Sequence, residues 1–278
     1  MTLAEKDKAY VWHPFTQMKL ADLPILIEKA KGCTLYGADG KTYIDAVSSW
    51  WVNIHGHANE TIANRIAEQA KKLEHVIFAG FTHEPAITLA EKLISILPDH
   101  FSKVFYSDDG STAVEVGVKM ALQYWYNTGK DKIKIIALEN AYHGDTFGAM
   151  SAGARSAFTK PFHNHLFDVY HIPAPTATDV ENSVAQFKTI ASAGDVAAFI
   201  FEPLIQGSSG MLMHEPKHLD KLLAVAKEHD ILCIADEVMT GFGRTGKNFA
   251  INYLQHQPDV ICLSKGITGG FLPLGVTV

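Results

Sequence analysis

Residues 231–246 read ILCIADEVMTGFGRTG, an apolar run that ends in two carboxylates and a glycine-containing loop. A short, uninterrupted apolar run is typical of a strand that is buried on both faces, and such strands occur in parallel sheets. The stretch before it, residues 217–230, repeats apolar residues at helical spacing. A helix that leads directly into a buried strand predicts a sheet whose faces are covered by helices.

The same alternation runs through most of the chain. Further strands are predicted at residues 103–108, 132–140, 196–203 and 259–265, and further helices at residues 59–76, 84–98 and 112–127. The predicted fold class is therefore α/β, with a mostly parallel sheet flanked by helices. Before these units, residues 25–47 alternate apolar and polar residues around Asp39-Gly40, which is a strong hairpin signal. We predict an N-terminal segment with its own hairpin at residues 1–55 and a large domain at residues 56–278.

Composition excludes several classes of function. The formal net charge of −6 argues against nucleic-acid binding, which needs a basic surface. No stretch reaches the ~18 apolar residues of a membrane-spanning helix, and the N-terminus lacks the apolar core of a secretory signal. The three cysteines are odd in number and far apart, and two of them, Cys233 and Cys262, sit inside apolar runs, which favours small buried thiols over a disulfide. These features together predict a cytoplasmic protein. We also predict no metal site, because no group of histidines has the spacing of metal ligands.

Residues that could bind a ligand or take part in chemistry follow the predicted strands. In parallel sheets, ligands bind at the carboxyl ends of the strands. Gly110 and Ser111 lie between a strand and a helix, where free N–H groups suit a phosphate. A tight turn with a capping hydroxyl is the alternative interpretation. Tyr142 follows the next strand and either stacks on a planar ligand or covers the core. Asp145, close to it, is either a helix cap or part of the same site.

Charged residues end the remaining strands. Asp236 and Glu237 are adjacent, so they point to opposite faces of the strand and only one can face a ligand, such as a cationic ring nitrogen. Glu202 follows an apolar run and needs either an ion-pair partner or a ligand. Lys265 ends a buried run, where desolvation lowers the pKa of an amine and suits it for a Schiff base. The alternative is a lysine that reaches water from the edge of the sheet.

Taken together, these strand ends supply what pyridoxal 5′-phosphate (PLP) requires. The cofactor needs a lysine for covalent attachment, a carboxylate for its pyridine nitrogen, an aromatic ring against its face and a cradle for its phosphate. Each signal is weak alone, but the combination is specific. The glycines after Asp236 lack the G-x-G-x-x-G spacing, which argues against a dinucleotide site.

Several motifs resemble the class III aminotransferases, which are PLP-dependent enzymes of fold type I. The matching stretches are SDDGSTAVEVGVKMALQYW, NAYHGDTFGAMS, FEPLIQGSSGM, IADEVMTGFGRTGK and CLSKGITGG. The resemblance runs from about Trp12 to the last residue. It implies a PLP-dependent amino transfer by a homodimer, with residues 1–55 belonging to a small domain and residues 56–278 forming the large, PLP-binding domain.

The resemblance also implies a role for each candidate residue. Lys265 would form the Schiff base and move the substrate proton, Asp236 would keep the pyridine nitrogen protonated, and both would be catalytic together with Tyr142. The implied cofactor-binding residues are Gly110, Ser111, Tyr142, Glu202, Val238, Asp236 and Lys265, with Tyr142 and Val238 on opposite faces of the ring. The implied substrate-binding residues are Phe15, Trp50, Tyr142, Asp145 and Lys265.

Within the class, WHPFTQM and SSWWVNIHGH resemble the branch that aminates 8-amino-7-oxononanoate with S-adenosyl-L-methionine in biotin biosynthesis. Members of that branch carry a tyrosine where this chain has Phe15, so the amino donor stays open between S-adenosyl-L-methionine and another amine such as lysine. Members also continue beyond the lysine into a C-terminal small domain, which we expect to be missing here. The alternatives are an ω-aminotransferase for ornithine or 4-aminobutyrate, and an inert fragment that only binds cofactor or a subunit.

Overall fold

The hairpin predicted from Asp39-Gly40 is part of a three-stranded antiparallel sheet in the computed structural model, which describes residues 1–278. The chain divides into two units, residues 1–75 and residues 76–278. Helix α1 (Leu3–Tyr10) opens the first unit. The sheet follows, with β1 (Ile27–Lys31), β2 (Thr34–Gly37) and β3 (Thr42–Ile44) paired in that order.

A left-handed turn follows the small sheet. It is α2 (Ser48–Trp51), in which φ is +50° at Ser48, +48° at Ser49, +61° at Trp50 and +70° at Trp51. Left-handed helical backbone costs about 1–2 kcal/mol for each residue other than glycine, because Cβ approaches the following carbonyl oxygen. Four such residues in succession therefore need strong support from their surroundings.

Two amphipathic helices lie where the sequence predicts them. Helix α3 (Glu60–Lys72) belongs to the first unit and begins after Asn59, whose side chain accepts a hydrogen bond from the Ile62 N–H at 3.2 Å. Helix α4 (Glu84–Ile96) belongs to the second unit and has Pro85 in its first turn. Proline fits there because the first N–H groups of a helix have no intrahelical partner.

The apolar runs of the second unit pair in one seven-stranded sheet. Its strands are β4 (Phe105–Ser107), β5 (Lys134–Leu138), β6 (Tyr170–Ile172), β7 (Val196–Phe201), β10 (Leu232–Asp236), β11 (Val260–Leu263) and β12 (Gly275–Thr277). Their order is β4-β12-β11-β10-β7-β5-β6. Only β12 is antiparallel to its neighbours, so the remaining six strands run in one direction. The prediction of a mostly parallel sheet is confirmed.

Helices cover both faces of this sheet. Helices α5 (Gly110–Asn127) and α6 (Phe147–Ala152) pack on the face that carries Ala198 and Ile200 of β7. Helices α7 (Val180–Ala191) and α8 (Pro216–Glu228) pack on the face that carries Phe199 and Phe201. Alternate residues of β7 thus enter two separate cores, which explains why its sequence is apolar throughout.

Four short strands were not predicted from the sequence pattern. β6 and β12 have three residues each, and the pair β8 (Ile205–Gln206) and β9 (Leu212–Met213) has two residues in each strand. The strand expected to end at Lys265 ends at Leu263 instead, and Lys265 opens a 3₁₀ turn that runs to Thr268. The φ of Lys265 is +47°, which is incompatible with an extended ladder. None of the helices combines the length and apolar character needed to cross a bilayer.

Candidate active site

The buried carboxylate of Asp236 lies at the carboxyl end of β10. Its Oδ2 atom is 2.7 Å from Nδ1 of His143, and its Oδ1 atom accepts a hydrogen bond from the Val238 N–H at 3.0 Å. Burial by itself lowers the pKa of His143, but the hydrogen bond and charge of Asp236, helped by Glu202, raise it above its ordinary value. The imidazole therefore donates to Asp236 and holds that carboxylate in one orientation.

Glu202 follows β7 and joins two loops at the same edge of the sheet. Its Oε1 atom accepts the N–H of Tyr142 and its Oε2 atom accepts the N–H of Gly207, each at 3.0 Å. The side chain is buried, and this desolvation, with a smaller contribution from the charge of Asp236, raises the pKa of Glu202 to about 7. Both carboxyl oxygens are thus engaged by the backbone of the segments that they connect.

The N-terminus of α5 forms a small concave surface. Asp109 caps the helix by accepting the Thr112 N–H at 2.8 Å, which leaves the N–H groups of Gly110 and Ser111 facing out of the first turn. A Cβ atom on Gly110 would lie 2.8 Å from Cγ1 of Val238. Only glycine therefore allows the helix to approach the loop after β10 this closely, and the N–H groups and dipole suit an anion.

The segment after β5 brings an aromatic ring to this edge. The hydroxyl of Tyr142 donates to Oδ2 of Asp145 at 2.9 Å, and the N–H of Asp145 donates to Oγ of Ser111 at 3.2 Å. Burial and the hydrogen bond to Asp145 raise the pKa of Tyr142. Tyr142 is 40% exposed, which leaves part of its side chain available to a ligand, and the raised pKa keeps its hydroxyl protonated.

Lys265 follows β11 by two residues and enters the same region. Burial lowers the pKa of its ammonium group, whereas the charges of Asp236 and Glu202 act in the opposite direction, and burial prevails. An amine with a lowered pKa is more often neutral, which is the form that attacks a carbonyl carbon. The positive φ of Lys265 turns the chain out of the ladder at this point.

The structure therefore brings eight of the sequence-predicted residues to one edge of the sheet. They are Gly110, Ser111, Tyr142, Asp145, Glu202, Asp236, Val238 and Lys265. The two remaining residues, Phe15 and Trp50, belong to the unit of residues 1–75, where their ring centroids lie 5.7 Å apart in an edge-to-face arrangement. Both rings are more than half exposed.

His143 is the site residue that the sequence pattern did not assign. It lies 93 residues before Asp236, and only the parallel pairing of the sheet brings the two together. The available signal was its position between Tyr142 and Gly144 after a predicted strand. Its Nε2 atom is buried and has no hydrogen-bond partner in the protein.

Glu237 points away from this edge, as the strand geometry predicts. Its carboxylate accepts the Ile251 N–H at 2.7 Å and the Thr240 hydroxyl at 2.5 Å. Burial raises the pKa of Glu237 to about 7. It anchors the loop that follows β10, and Asp236 alone faces the candidate site.

Comparison with known proteins agrees with this arrangement. The family description Aminotransferase class-III matches residues 16–278. The adenosylmethionine-8-amino-7-oxononanoate aminotransferase of Synechococcus elongatus is 53% identical over 277 residues, which are 97% of this chain and 65% of that protein. The protein of the same name from Staphylococcus aureus is 44% identical over 293 residues, covering 99% of this chain and 65% of that protein.

Solved structures share the fold. The adenosylmethionine-8-amino-7-oxononanoate aminotransferase of Methanocaldococcus jannaschii is 40% identical with a TM-score of 0.93, over 99% of this chain and 64% of that chain. An omega transaminase from Pseudomonas jessenii, in complex with PMP, is 31% identical with a TM-score of 0.94, over 100% of this chain and 65% of that chain. This chain thus spans about two thirds of the length of these relatives. Because the family match extends over residues 16–278, the chain belongs to the class III aminotransferases.

Proposed function

We propose that this chain binds PLP and forms the cofactor-binding part of an aminotransferase that converts 8-amino-7-oxononanoate to 7,8-diaminononanoate in biotin biosynthesis. S-adenosyl-L-methionine is the proposed amino donor. The observation that carries the proposal is the meeting of Lys265, Asp236 and His143 at one edge of the sheet. The relatives with 53% and 44% identity bear the name of this activity, which supports the choice of substrate.

The residues present fit PLP. The N–H groups of Gly110 and Ser111 face outward from the first turn of α5, as a phosphate requires, and glycine at position 110 lets Val238 approach this turn closely. Asp236 is fixed by two donors and still has lone pairs to accept a hydrogen bond from a protonated ring nitrogen. Tyr142 and Val238 supply an aromatic and an aliphatic surface for the two faces of a flat ring.

The protein's own residues have distinct tasks in the proposed reaction. When bound, PLP supplies an aldehyde that takes up an amino group and a conjugated ring that accepts electron density. Lys265 holds the cofactor and, when neutral, accepts the proton that leaves the substrate. Asp236 favours a protonated ring nitrogen, and His143 keeps the carboxylate oriented toward it. Glu202 fixes the backbone that carries Tyr142.

The proposed substrate-binding residues are Phe15, Trp50, Tyr142, Asp145 and Lys265. The exposed pair of Phe15 and Trp50 offers an apolar surface that suits the aliphatic chain of 8-amino-7-oxononanoate. Asp145, held by Tyr142, is the polar group of the proposed substrate set. We also propose that the protein is a cytoplasmic homodimer, with residues 1–55 belonging to a small domain and residues 56–278 to the large PLP-binding domain.

The cofactor proposal is tested by adding PLP to the purified chain. We expect a visible absorbance band and, after reduction with borohydride, a cofactor-labelled peptide that contains Lys265. Both signals are expected to vanish in Lys265→Ala. Lys132→Gln is the matched control, because burial also lowers the pKa of Lys132 although it lies beside Asp230, away from the candidate site. A colourless wild-type mixture, or labelling that persists in Lys265→Ala, would contradict the assignment.

The substrate proposal needs a competition among ligands. The chain with PLP is titrated with 8-amino-7-oxononanoate, S-adenosyl-L-methionine, lysine, ornithine and 4-aminobutyrate. A change in the visible absorbance spectrum shows that a compound has bound or reacted. We expect responses to the first two compounds. A response only to ornithine or 4-aminobutyrate would favour the ω-aminotransferase alternative, to which the 31% identical omega transaminase lends support. Cofactor binding without any amine response would favour a fragment that only binds PLP.

A further inference from the structure

The left-handed turn α2 presents Trp50 from a backbone that ordinary residues avoid. Two hydrogen bonds close the turn, from the Trp51 N–H to the Val47 carbonyl at 2.8 Å and from the Val52 N–H to the Ser48 carbonyl at 3.0 Å. No glycine relieves the strain, because Ser48, Ser49, Trp50 and Trp51 occupy all four positions of positive φ. Strain of this kind persists only where surrounding contacts enforce it, and such strain clusters at functional sites.

The side chain of Asp45 holds the turn in its left-handed conformation through hydrogen bonds to Ser49. Its Oδ1 atom accepts the N–H of Ser49 at 2.9 Å, and its Oδ2 atom accepts the hydroxyl of Ser49 at 2.7 Å. The same Oδ2 atom is 2.7 Å from Nε2 of His57. The carboxylate side chain is only 6% exposed. The hydrogen bond from Ser49, together with those from His57, lowers the pKa of Asp45 to about 2.

Asp45 and His57 are both tied to the small sheet. The N–H of Asp45 donates to the Cys33 carbonyl at 2.8 Å. The N–H of His57 donates to the Gly32 carbonyl at 2.8 Å, and the Gly32 N–H returns a bond to the His57 carbonyl at 3.2 Å. The contact between Asp45, Ser49 and His57 therefore transmits the rigidity of the sheet to the turn.

The consequence of this arrangement is an exposed ring in a fixed pose. Trp50 is 58% exposed and lies in an edge-to-face arrangement with Phe15, which is 56% exposed and also has a positive φ, of +53°. An apolar ring of this size is ordinarily buried. Because more than half of Trp50 is exposed, the direction of its ring depends strongly on the backbone that carries it.

We infer that Asp45 and His57 are positioning residues that lock the left-handed turn and thereby aim Trp50 at the apolar chain of the substrate. The aim of the ring is a property of residues 1–75 alone. Only the identity of the substrate rests on the proposed function. Asp45 acts through its hydrogen bonds to Ser49, and His57 acts through Asp45.

The pose of Trp50 is measured by fluorine NMR of the chain labelled with 5-fluorotryptophan. The sequence has four tryptophans, and Trp50→Phe identifies the resonance of interest. We expect Asp45→Ala to shift or broaden that resonance. Asp39→Ala is the matched control, because Asp39 makes similar hydrogen bonds, to Lys41 and Tyr43, but has none to the turn. His57→Phe is the second variant, should Asp45→Ala not fold.

A glycine rescue separates positioning from general loss of stability. Ser48→Gly removes the Cβ that opposes positive φ, so we expect Asp45→Ala combined with Ser48→Gly to recover the Trp50 resonance. Ala46→Gly, two residues earlier and without positive φ, is not expected to recover it. A resonance that is unchanged in both Asp45→Ala and His57→Phe, or equal recovery by the two glycines, would overturn the inference.

Ligand titration links the pose to recognition. In the chain loaded with PLP, we expect Asp45→Ala to weaken binding of 8-amino-7-oxononanoate by about ten-fold, comparable to the loss of one aromatic contact. The affinity for PLP should differ between Asp45→Ala and wild type by less than about two-fold. If wild type binds PLP but not the ketone, the proposed function is refuted and the resonance still decides the pose. If wild type and Asp45→Ala bind the ketone equally, the positioning role is refuted.

Discussion

Glu202 and Glu237 form a natural matched pair for testing the electrostatics of the site. Both are buried carboxyls near the end of a strand, each accepts hydrogen bonds from protein donors, and burial raises the pKa of each to about 7. They differ in surroundings, since Glu202 lies at the candidate site and Glu237 faces the loop behind it. We predict that Glu202→Gln and Glu237→Gln change stability alike but affect Lys265 differently.

The stability change depends on pH with a definite sign. The folded carboxyl has a pKa of about 7, whereas its ordinary value is 4.5, so between these values the folded state binds more protons than the unfolded state. Wild-type stability therefore falls as pH rises through this window. The difference corresponds to about 3 kcal/mol per residue, at about 1.36 kcal/mol for each pKa unit. Glutamine cannot ionise and removes this dependence.

The second contribution does not vary with pH. A glutamine side chain offers one acceptor oxygen, so one of the two protein donors that wild type satisfies is left without a partner. An unsatisfied buried donor costs about 1–3 kcal/mol. Near pH 5 each variant should thus be less stable than wild type by about 1–3 kcal/mol. Near pH 8 the difference should vanish or reverse, because wild type then carries a buried charge.

Urea unfolding of both variants and wild type, at about pH 5 and about pH 8, measures this change. A stability difference that stays constant across the two conditions would mean that the carboxyls titrate near their ordinary pKa, and the reasoning would be refuted. The chain contains two units, and these could unfold separately. The buried Trp125 of α5 therefore serves as the probe for unfolding of residues 76–278.

Lys265 distinguishes the two variants. The charge of Glu202 raises the pKa of Lys265 against the larger effect of burial, and Glu237 has no such influence. Glu202→Gln should therefore lower the pKa of Lys265 further, whereas Glu237→Gln should leave it unchanged. The measurement is the pH dependence of Lys265 modification by an amine-reactive reagent, read by peptide mass spectrometry without cofactor. Equal curves for the two variants would show that Glu202 does not act on the lysine.

Three further predictions concern packing and capping. Gly110→Ala places a methyl group 2.8 Å from Cγ1 of Val238, so we expect a loss of about 1–3 kcal/mol in urea unfolding and weaker PLP binding, with recovery of stability when Val238→Ala is added. Asn59→Ala removes the cap of α3 and should reduce its stability by about 1 kcal/mol, with Asn59→Ser close to wild type by circular dichroism melting. Leu222→Ala empties a fully buried position of α8, and urea unfolding should show a loss of about 2–5 kcal/mol.

The sequence predicts the sheet well where a strand has its own apolar run. β7 and β10 lie within continuous apolar stretches, and helix α8 before β10 repeats apolar residues at helical spacing, so local pattern and fold agree. β6 and β12 have only three residues each, which is too short for a pattern. Their strand conformation comes from pairing with β5 in one case and with β4 and β11 in the other.

The candidate site was predictable in kind rather than in detail. Strand geometry separated Asp236 from Glu237, and the structure has them on opposite sides as expected. His143 escaped because its pairing with Asp236 spans 93 residues and depends on tertiary structure. The positive φ values of Lys265 and of α2 were also not predicted, because serine, tryptophan and lysine give no indication in the sequence of a left-handed backbone.

The two buried carboxyl groups of the site, Asp236 and Glu202, accept hydrogen bonds from other parts of the protein. Asp236 receives two donors, from His143 and the Val238 N–H, and Glu202 receives two backbone N–H groups. Their charges raise the pKa of the lysine, but not enough to offset burial. A lysine enclosed by uncompensated carboxylates would stay charged and would be a poor nucleophile. His143 and the backbone donors therefore do more than orient the two carboxyl groups. By compensating their charge, these donors weaken its effect on Lys265, so burial keeps the pKa of the lysine low and its amine reactive.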